Sequence, residues 1–133
     1  MLYHTAICVQ DVARAVGFYD RLLDTLGMHR VLDLMPAAVG YGRDRAEFWI
    51  QSPDQQPFLT ISRGAHFCFG APTEERVRAF HHAALVAGGR SVMAPGRYPE
   101  FGPNYMGAVV EDLDGHKVEV CLLRQDGPAP AAS

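Results

Sequence analysis

The sequence has few cysteines, no long apolar run and no basic start. Three cysteines in 133 residues, with no CxxC spacing, do not make a paired framework, and we interpret Cys8, Cys68 and Cys121 as reduced thiols. No stretch reaches the roughly 18 apolar residues that a membrane-spanning helix needs. The first residues, Met1 to His4, lack the positive charge that opens a signal peptide. We therefore expect a cytoplasmic protein without a membrane partner.

The sequence also lacks a strong excess of charge of either sign. Its 12 basic and 15 acidic residues give a net charge of −3. A nucleic-acid-binding protein is expected to carry a basic stripe, and the best candidate, Arg43 and Arg45, is interrupted by Asp44. We therefore expect no nucleic-acid partner. A hydrophobic content of 48% and a charged content of 20% are typical of a folded globular domain and exclude disorder over the whole length.

An internal repeat organises the chain. When the sequence is shifted by 62 residues, so that His4 falls on His66, similar residues align in the same order. The aligned residues read as a strand, a helix N-cap, a helix core face and a helix stop. The pairs are His4 with His66, Asp11 with Thr73, Phe18 with Phe80, Leu23 with Leu85, and Gly27 with Gly89. Such an order predicts two copies of one supersecondary unit.

Each copy has the pattern of a βαβββ module, which makes the fold class α+β. Asp11 and Thr73 are typical helix N-caps, and apolar residues recur at spacings of three and four after each of them. The predicted strands cover residues 3–9, 29–34, 38–42, 46–51, 65–70, 90–93, 106–111 and 117–123.

The modules fit one domain. We predict a single domain over 1–124, with module one at about 1–51, a linker at 52–64 and module two at about 65–124. Residues 94–104, rich in Pro and Gly, are interpreted as a loop over a cavity. The end of the chain, 125–133, has too few large apolar side chains to pack, and we expect a flexible tail.

Strand alternation predicts a polar face that is shared by both modules. Large apolar side chains should pack under the helices, which leaves His4, Glu47, Trp49, His66 and Glu119 on the opposite face, lining a cleft. Two histidines and one carboxylate resemble a facial triad, which binds a divalent metal and leaves coordination positions open. Overlaying the modules places Trp49 where a second carboxylate would stand, and indole does not ligate a metal in that way.

The motifs resemble those of the glyoxalase/bleomycin-resistance/extradiol-dioxygenase superfamily, also called vicinal oxygen chelate proteins. The resemblance covers about residues 1–124, and its most specific part is Asp112-Leu113-Asp114-Gly115-His116-Lys117-Val118-Glu119. It implies two tandem βαβββ modules forming a U-shaped, partly closed mixed β-barrel with the helices outside. His4, His66 and Glu119 fall on the metal-ligand positions of the family. Trp49 replaces the Glu of lactoylglutathione lyases, which argues against an ordinary glyoxalase.

The resemblance implies a chemistry and a set of partners. One divalent ion (Zn, Fe, Mn or Ni) would act as a Lewis acid on a small substrate that chelates it, in a lyase, isomerase or dioxygenase reaction. Glu47 is the candidate base, ahead of Tyr105 and His116. The substrate-binding candidates are Trp49, Tyr105, Cys68 and Cys121. A homodimer is expected.

Two other readings remain open at this point. The chain is alternatively a non-catalytic binding protein that sequesters a drug or aromatic compound, as bleomycin-resistance members do, with Trp49 and Tyr105 in the cleft. It is alternatively an evolved scaffold whose site is vestigial. The cysteines have a plain packing interpretation as well, since small thiols are common in protein cores.

Overall fold

Two α-helices and eight β-strands make up the regular structure of the part described here. The computed structural model describes residues 1–55 and 65–123. The elements of module one are β1 (Thr5–Cys8), α1 (Val12–Asp24), β2 (His29–Leu34), β3 (Ala38–Gly42) and β4 (Phe48–Gln51). Those of module two are β5 (His66–Ala71), α2 (Glu74–Val86), β6 (Arg90–Arg97), β7 (Met106–Glu111) and β8 (Lys117–Leu122). Neither of these helices has the length and apolar character needed to cross a membrane.

The two helices begin and end at equivalent places in the repeat. Each has 13 residues, and the N-cap side chains of Asp11 and Thr73 accept hydrogen bonds from the third following backbone N–H, at 3.2 Å in both cases. These bonds satisfy N–H groups that have no partner inside the helix. Gly27, at φ 73°, supplies the left-handed turn that follows α1.

Each module builds its own four-stranded mixed sheet. The strand orders are β1-β4-β3-β2 and β5-β8-β7-β6, and in each sheet only the first pair is parallel. The registers match across the repeat: Ala6 lies opposite Trp49 in the first sheet, and Cys68 lies opposite Glu119 in the second. Trp49 and Glu119 therefore occupy equivalent positions. The predicted α+β fold with two tandem βαβββ modules is confirmed.

The helix-side faces of both modules share one hydrophobic core. The Phe48 ring lies 5.3 Å from that of Phe67 and 5.4 Å from that of Phe69, measured between centroids, so the two sheets meet through aromatic side chains. Helix α1 contacts α2. The Arg76 guanidinium donates to the Thr25 carbonyl oxygen at 3.3 Å. Burial of this joint apolar surface stabilises the two modules as one unit.

The two sheets stay separate within one chain, which is compatible with the partly closed arrangement that was expected. Two features differ from the expectation or lie beyond it. Strand β6 continues to Arg97 and is followed by a 3₁₀ turn at Pro99–Phe101, so the expected loop over 94–104 is shorter than predicted. Most of the predicted linker and all of the predicted tail lie outside the described residues, and the domain limits stay a prediction.

Candidate functional site

A histidine and a carboxylate meet on the outward face of the second sheet. His66 opens β5 and Glu119 lies in the middle of β8, and His66 Nε2 is 2.8 Å from Glu119 Oε1. The His66 side chain is 49% exposed and that of Glu119 is 18% exposed. The imidazole nitrogen and the carboxylate oxygen therefore lie on an accessible face, on the side of the sheet away from the shared core.

Tyr105 completes this arrangement. Its hydroxyl donates to Glu119 Oε2 at 2.8 Å, so both carboxylate oxygens have a protein partner. The phenol reaches this position because Gly107 has no side chain, and a Cβ there would collide with the Tyr105 oxygen. Burial, followed by the contact with Glu119, raises the pKa of the Tyr105 phenol. The Tyr105 phenol therefore stays protonated at neutral pH and donates a hydrogen bond to Glu119, so it is poorly suited to act as a base.

Two thiols lie next to the same carboxylate. Cys68 Sγ is 3.5 Å from Cys121 Sγ, and both cysteines are free. Burial, followed by the contact with Cys121, raises the pKa of the Cys68 thiol. The third cysteine, Cys8, is buried in the first sheet.

His4 and Trp49 lie in a different groove, on the first module. This groove has a volume of about 750 Å³, and all of its lining residues come from module one. Trp49 fits there because Gly40, its cross-strand partner, has no side chain: a Cβ at Gly40 would lie 2.9 Å from the indole. The Arg45 guanidinium stacks 4.3 Å from the centroid of the Tyr3 ring at the edge of the groove.

Glu47 does not share the groove of Trp49. It lines a groove of about 860 Å³ together with His66 and Cys68, and its carboxylate lies 3.6 Å from the Arg45 guanidinium. Glu47 is exposed beside the buried Phe48, as strand alternation predicts, and its backbone continues the pairing of β4 with β1 and β3 through hydrogen bonds to Thr5 and Tyr41. The candidate base thus lines the same groove as His66, whereas Trp49 lines the other groove.

One chain brings together two of the three predicted metal ligands. His66 and Glu119 are in contact, whereas His4 lies in the module-one groove. Within residues 1–55 and 65–123, the sets of three ligand atoms lying within 4.8 Å of one another do not include the combination of His4, His66 and Glu119. The donor types still suit a divalent ion, since imidazole nitrogen and carboxylate oxygen both bind such metals.

A buried polar network was not anticipated from the sequence. Asp112 Oδ2 accepts hydrogen bonds from the Tyr19 hydroxyl at 2.5 Å and from His116 Nδ1 at 2.8 Å. The side chains of Asp112 and His116 are each 1% exposed. Asp112 Oδ1 accepts from the backbone N–H groups of Asp114 and His116 at 2.9 and 2.8 Å. Burial alone would raise the pKa of Asp112, but the hydrogen bonds from His116 and Tyr19 outweigh it and lower the pKa.

This network fixes the β7–β8 turn and links it to α1. The ligand atoms of Asp112, Asp114 and His116 lie within 4.8 Å of one another, a spacing that would suit a metal ion. Both oxygens of Asp112 already accept two hydrogen bonds each, however, so the cluster is satisfied by the protein. His116, one of the weaker candidate bases, is engaged in this network through Nδ1 and its backbone N–H. The sequence signal was the turn motif around Gly115, which has φ 90°.

Comparison with known proteins identifies relatives of this arrangement. A profile of the Glyoxalase/Bleomycin resistance protein/Dioxygenase superfamily matches residues 2–120. A crystal structure of a glyoxalase/bleomycin resistance protein from Albidiferax ferrireducens T118 is 28% identical, has a TM-score of 0.75, and the match covers 91% of this chain and 97% of that one. None of the curated proteins compared with the chain matches it.

Two other solved structures share the fold at lower identity. A glyoxalase-related enzyme from Fulvimarina pelagi is 15% identical with a TM-score of 0.72, over 100% of this chain and 99% of that chain. Lactoylglutathione lyase from Agrobacterium tumefaciens is 21% identical with a TM-score of 0.66, over 92% of each chain. At these identities the two structures show a common architecture only.

Proposed function

Because the chain belongs to the Glyoxalase/Bleomycin resistance protein/Dioxygenase superfamily, we propose that it is a divalent-metal-dependent enzyme. It acts on a small substrate that has two adjacent oxygen atoms, in a reaction of the lyase, isomerase or dioxygenase type. The observation that carries this proposal is the His66–Glu119 pair on the outward face of the second sheet, with the donor atoms 2.8 Å apart. Ligand atoms at neighbouring positions around an ion, each about 2.1 Å from it, are separated by about 3 Å.

In this proposal the third ligand, His4, comes from a second copy of the chain. The helix-side faces of both sheets are buried in the shared core. The outward faces are therefore the ones available for contact with another molecule. A twofold dimer that sets the first sheet of one protomer against the second sheet of the other brings His4 to the His66–Glu119 pair twice. The first-sheet groove offers apolar surface for this contact, since Tyr3 is 65% exposed and Leu34 is 55% exposed.

Four side chains have distinct roles in the proposed reaction. A bound divalent ion supplies Lewis acidity, which polarises the substrate oxygens. His66 and Glu119 hold it, and Tyr105 fixes the orientation of Glu119 by donating to Oε2. Glu47, in the same groove as His66, accepts the substrate proton in reactions that need a base.

A second candidate function is supported by Trp49. The indole occupies the position equivalent to Glu119, beside His4, in a groove with largely apolar lining. Such a wall suits stacking with a flat aromatic compound, as in a binding protein that sequesters its ligand. Tight ligand binding that survives removal of metal by a chelator, without turnover, would favour this function over the enzymatic one.

Metal analysis of the purified protein tests the enzymatic proposal. We expect bound divalent metal in the wild type and the loss of one ion per chain in His66→Ala and in Glu119→Ala, with circular dichroism spectra unchanged because both positions lie on the outward face. His29→Ala is the matched control, since His29 is also an exposed strand histidine and should leave the metal content unchanged. Equal metal content in all four proteins would reject the site.

Turnover is then measured on substrates with vicinal oxygens, such as catechols and α-hydroxycarbonyl compounds. The wild type should convert at least one class, and chelation should abolish the reaction until metal is added back. Conversion that persists in the chelated protein would contradict a metal-dependent mechanism.

A further inference from the structure

The two exposed-face cysteines form a pair that the proposed reaction does not use. Cys68 and Cys121 lie on the neighbouring strands β5 and β8, and their sulfur atoms are 3.5 Å apart. Within one chain Cys68 is exposed and Cys121 is partly exposed. Packing alone does not account for a thiol in this position, because buried thiols are the ones that act as small core residues.

The backbone geometry disfavours a direct disulfide. In the parallel β5–β8 pair, Cys68 lies opposite Glu119 and Cys121 lies opposite Gly70, so the cysteines are diagonal neighbours. With strands about 4.8 Å apart and a rise of about 3.3 Å per residue, their Cα atoms are separated by about 8 Å. Disulfides usually need a Cα separation of about 4.4–6.8 Å. The sulfurs come close only because both side chains lean toward each other.

A bridging atom fits this geometry better than a direct bond. We propose that Cys68 and Cys121 form a dithiol site for a thiophilic divalent cation of the Zn²⁺ or Cd²⁺ type. At a metal–sulfur distance of about 2.3 Å, two sulfurs 3.5 Å apart subtend an angle of about 100° at the ion, near the tetrahedral value. Thiolate sulfur is also the donor that soft cations prefer.

The surroundings of the pair support cation binding. The Glu119 carboxylate lies directly across the strand pair from Cys68 and supplies negative charge beside the sulfurs. Cys68 also lines the 860 Å³ groove, which gives an ion a route from solvent. Binding involves no oxidation: each thiol releases one proton to solvent, and two sulfur–metal bonds form. The dithiol site neighbours the His66–Glu119 pair but has its own sulfur ligands, and it does not depend on the function proposed for that pair.

Cadmium titration of the reduced, metal-free protein tests this site. The ultraviolet sulfur-to-cadmium charge-transfer band should grow and saturate at one Cd²⁺ per chain. We expect the band to be lost in Cys68→Ser and in Cys121→Ser. It should be retained in the matched control Cys8→Ser, which removes the buried thiol, and in His66→Ala. Retention in His66→Ala separates the dithiol site from the proposed catalytic site, because that variant loses the catalytic metal.

Alkylation mapping of the wild type provides a readout that needs no variant to fold. Saturating Cd²⁺ should protect both Cys68 and Cys121 from iodoacetamide, as read by peptide mass spectrometry. Absence of the band, absence of protection, loss of the band in His66→Ala, or formation of a Cys68–Cys121 disulfide in place of cation binding would each overturn the proposal.

Discussion

Trp49 and Glu119 show how one repeated position has acquired two different chemistries. The strand registers place them at equivalent points of their sheets, yet Glu119 contacts His66 while Trp49 lies over Gly40. An indole carries a donor N–H and no acceptor, so it does not ligate a cation. In the proposed site the first module therefore contributes one ligand, His4, where a symmetric repeat would contribute two.

Replacing Trp49 tests this asymmetry at the residue scale. Trp49→Glu supplies the missing carboxylate beside His4, and we expect divalent metal to bind about tenfold more tightly, equivalent to about 1.4 kcal/mol. Trp49→Gln is the matched control. The Gln side chain has nearly the same shape as Glu but no charge, so this variant should not bind the metal more tightly than the wild type. Competition with a metallochromic chelator measures both. Equal affinities of the two variants would show that position 49 does not face the metal.

Asp112 makes the stability of the fold depend on pH in the acidic range. Its folded pKa lies below the usual value, so its contribution to stability is present above about pH 4 and is lost as the pH falls through the lower, folded value. We expect the free energy of unfolding, measured with urea, to fall steeply in this acidic range for the wild type. The decline should be shallower in Asp112→Asn, which is also less stable at neutral pH because the charged acceptor of His116 and Tyr19 is lost.

Asp44→Asn is the control for this experiment, since Asp44 is an exposed carboxylate. Its stability should follow the wild-type pH curve. Some acid dependence should remain in Asp112→Asn, because Asp20 also has a lowered pKa through hydrogen bonds from Arg30 and Tyr41 that outweigh its burial. Parallel curves for the wild type and Asp112→Asn would show that the network does not set the acid response.

Local sequence rules predicted on which face of a strand a side chain lies, but not which groove it lines or which neighbour it contacts. Alternation within β5 and β8 correctly placed His66 and Glu119 on one face. Alternation also placed Glu47 opposite the buried Phe48, but it did not predict that Glu47 lines the groove of His66 and not that of Trp49. The contact of Tyr105 with Glu119 depends on the space that Gly107 leaves, a steric fact that residue type and spacing do not reveal.

The helix caps are the clearest case of an element determined by local sequence. Asp11→Ala and Thr73→Ala each remove one side-chain acceptor from the first turn of a helix. We expect each to lower the free energy of unfolding by about 1 kcal/mol. Asp11→Asn and Thr73→Ser keep an acceptor and should cost much less. Urea unfolding of the four variants checks this, and equal losses within each pair would contradict a capping role.

Strand β6 shows the opposite case, in which local signals mislead. Pro95 and Gly96 indicate the end of a strand, yet β6 continues to Arg97. It does so because β6 is the edge strand of its sheet and its register shifts between Met93 and Gly96. An edge strand tolerates a proline since the missing N–H need not face a neighbour. Edge position is a property of the whole sheet and is not visible in a local window.

The arrangement of the whole molecule was the part least accessible from the sequence. The 62-residue repeat predicted two equal modules, and both helices begin that far apart. Alternation also predicted which face of each sheet is apolar. It did not predict that the two apolar faces meet in one core, with Phe48 against Phe67, because any apolar face satisfies burial with any complementary one. That packing turns His4 and His66 toward different grooves.

Subunit mixing tests the central claim, a metal site made by His4 of one chain and by His66 and Glu119 of another. His4→Ala and Glu119→Ala should each lack the metal of the shared site as homodimers, and the metal contents compared below are those of that site. When they are unfolded together and refolded at equal amounts, random pairing gives half mixed dimers, each with one intact site. Metal content should then recover to about a quarter of the wild-type value. A mixture of His66→Ala and Glu119→Ala should recover none, because both ligands belong to the same sheet. Absence of recovery in the first mixture, or equal recovery in both, would contradict the shared site.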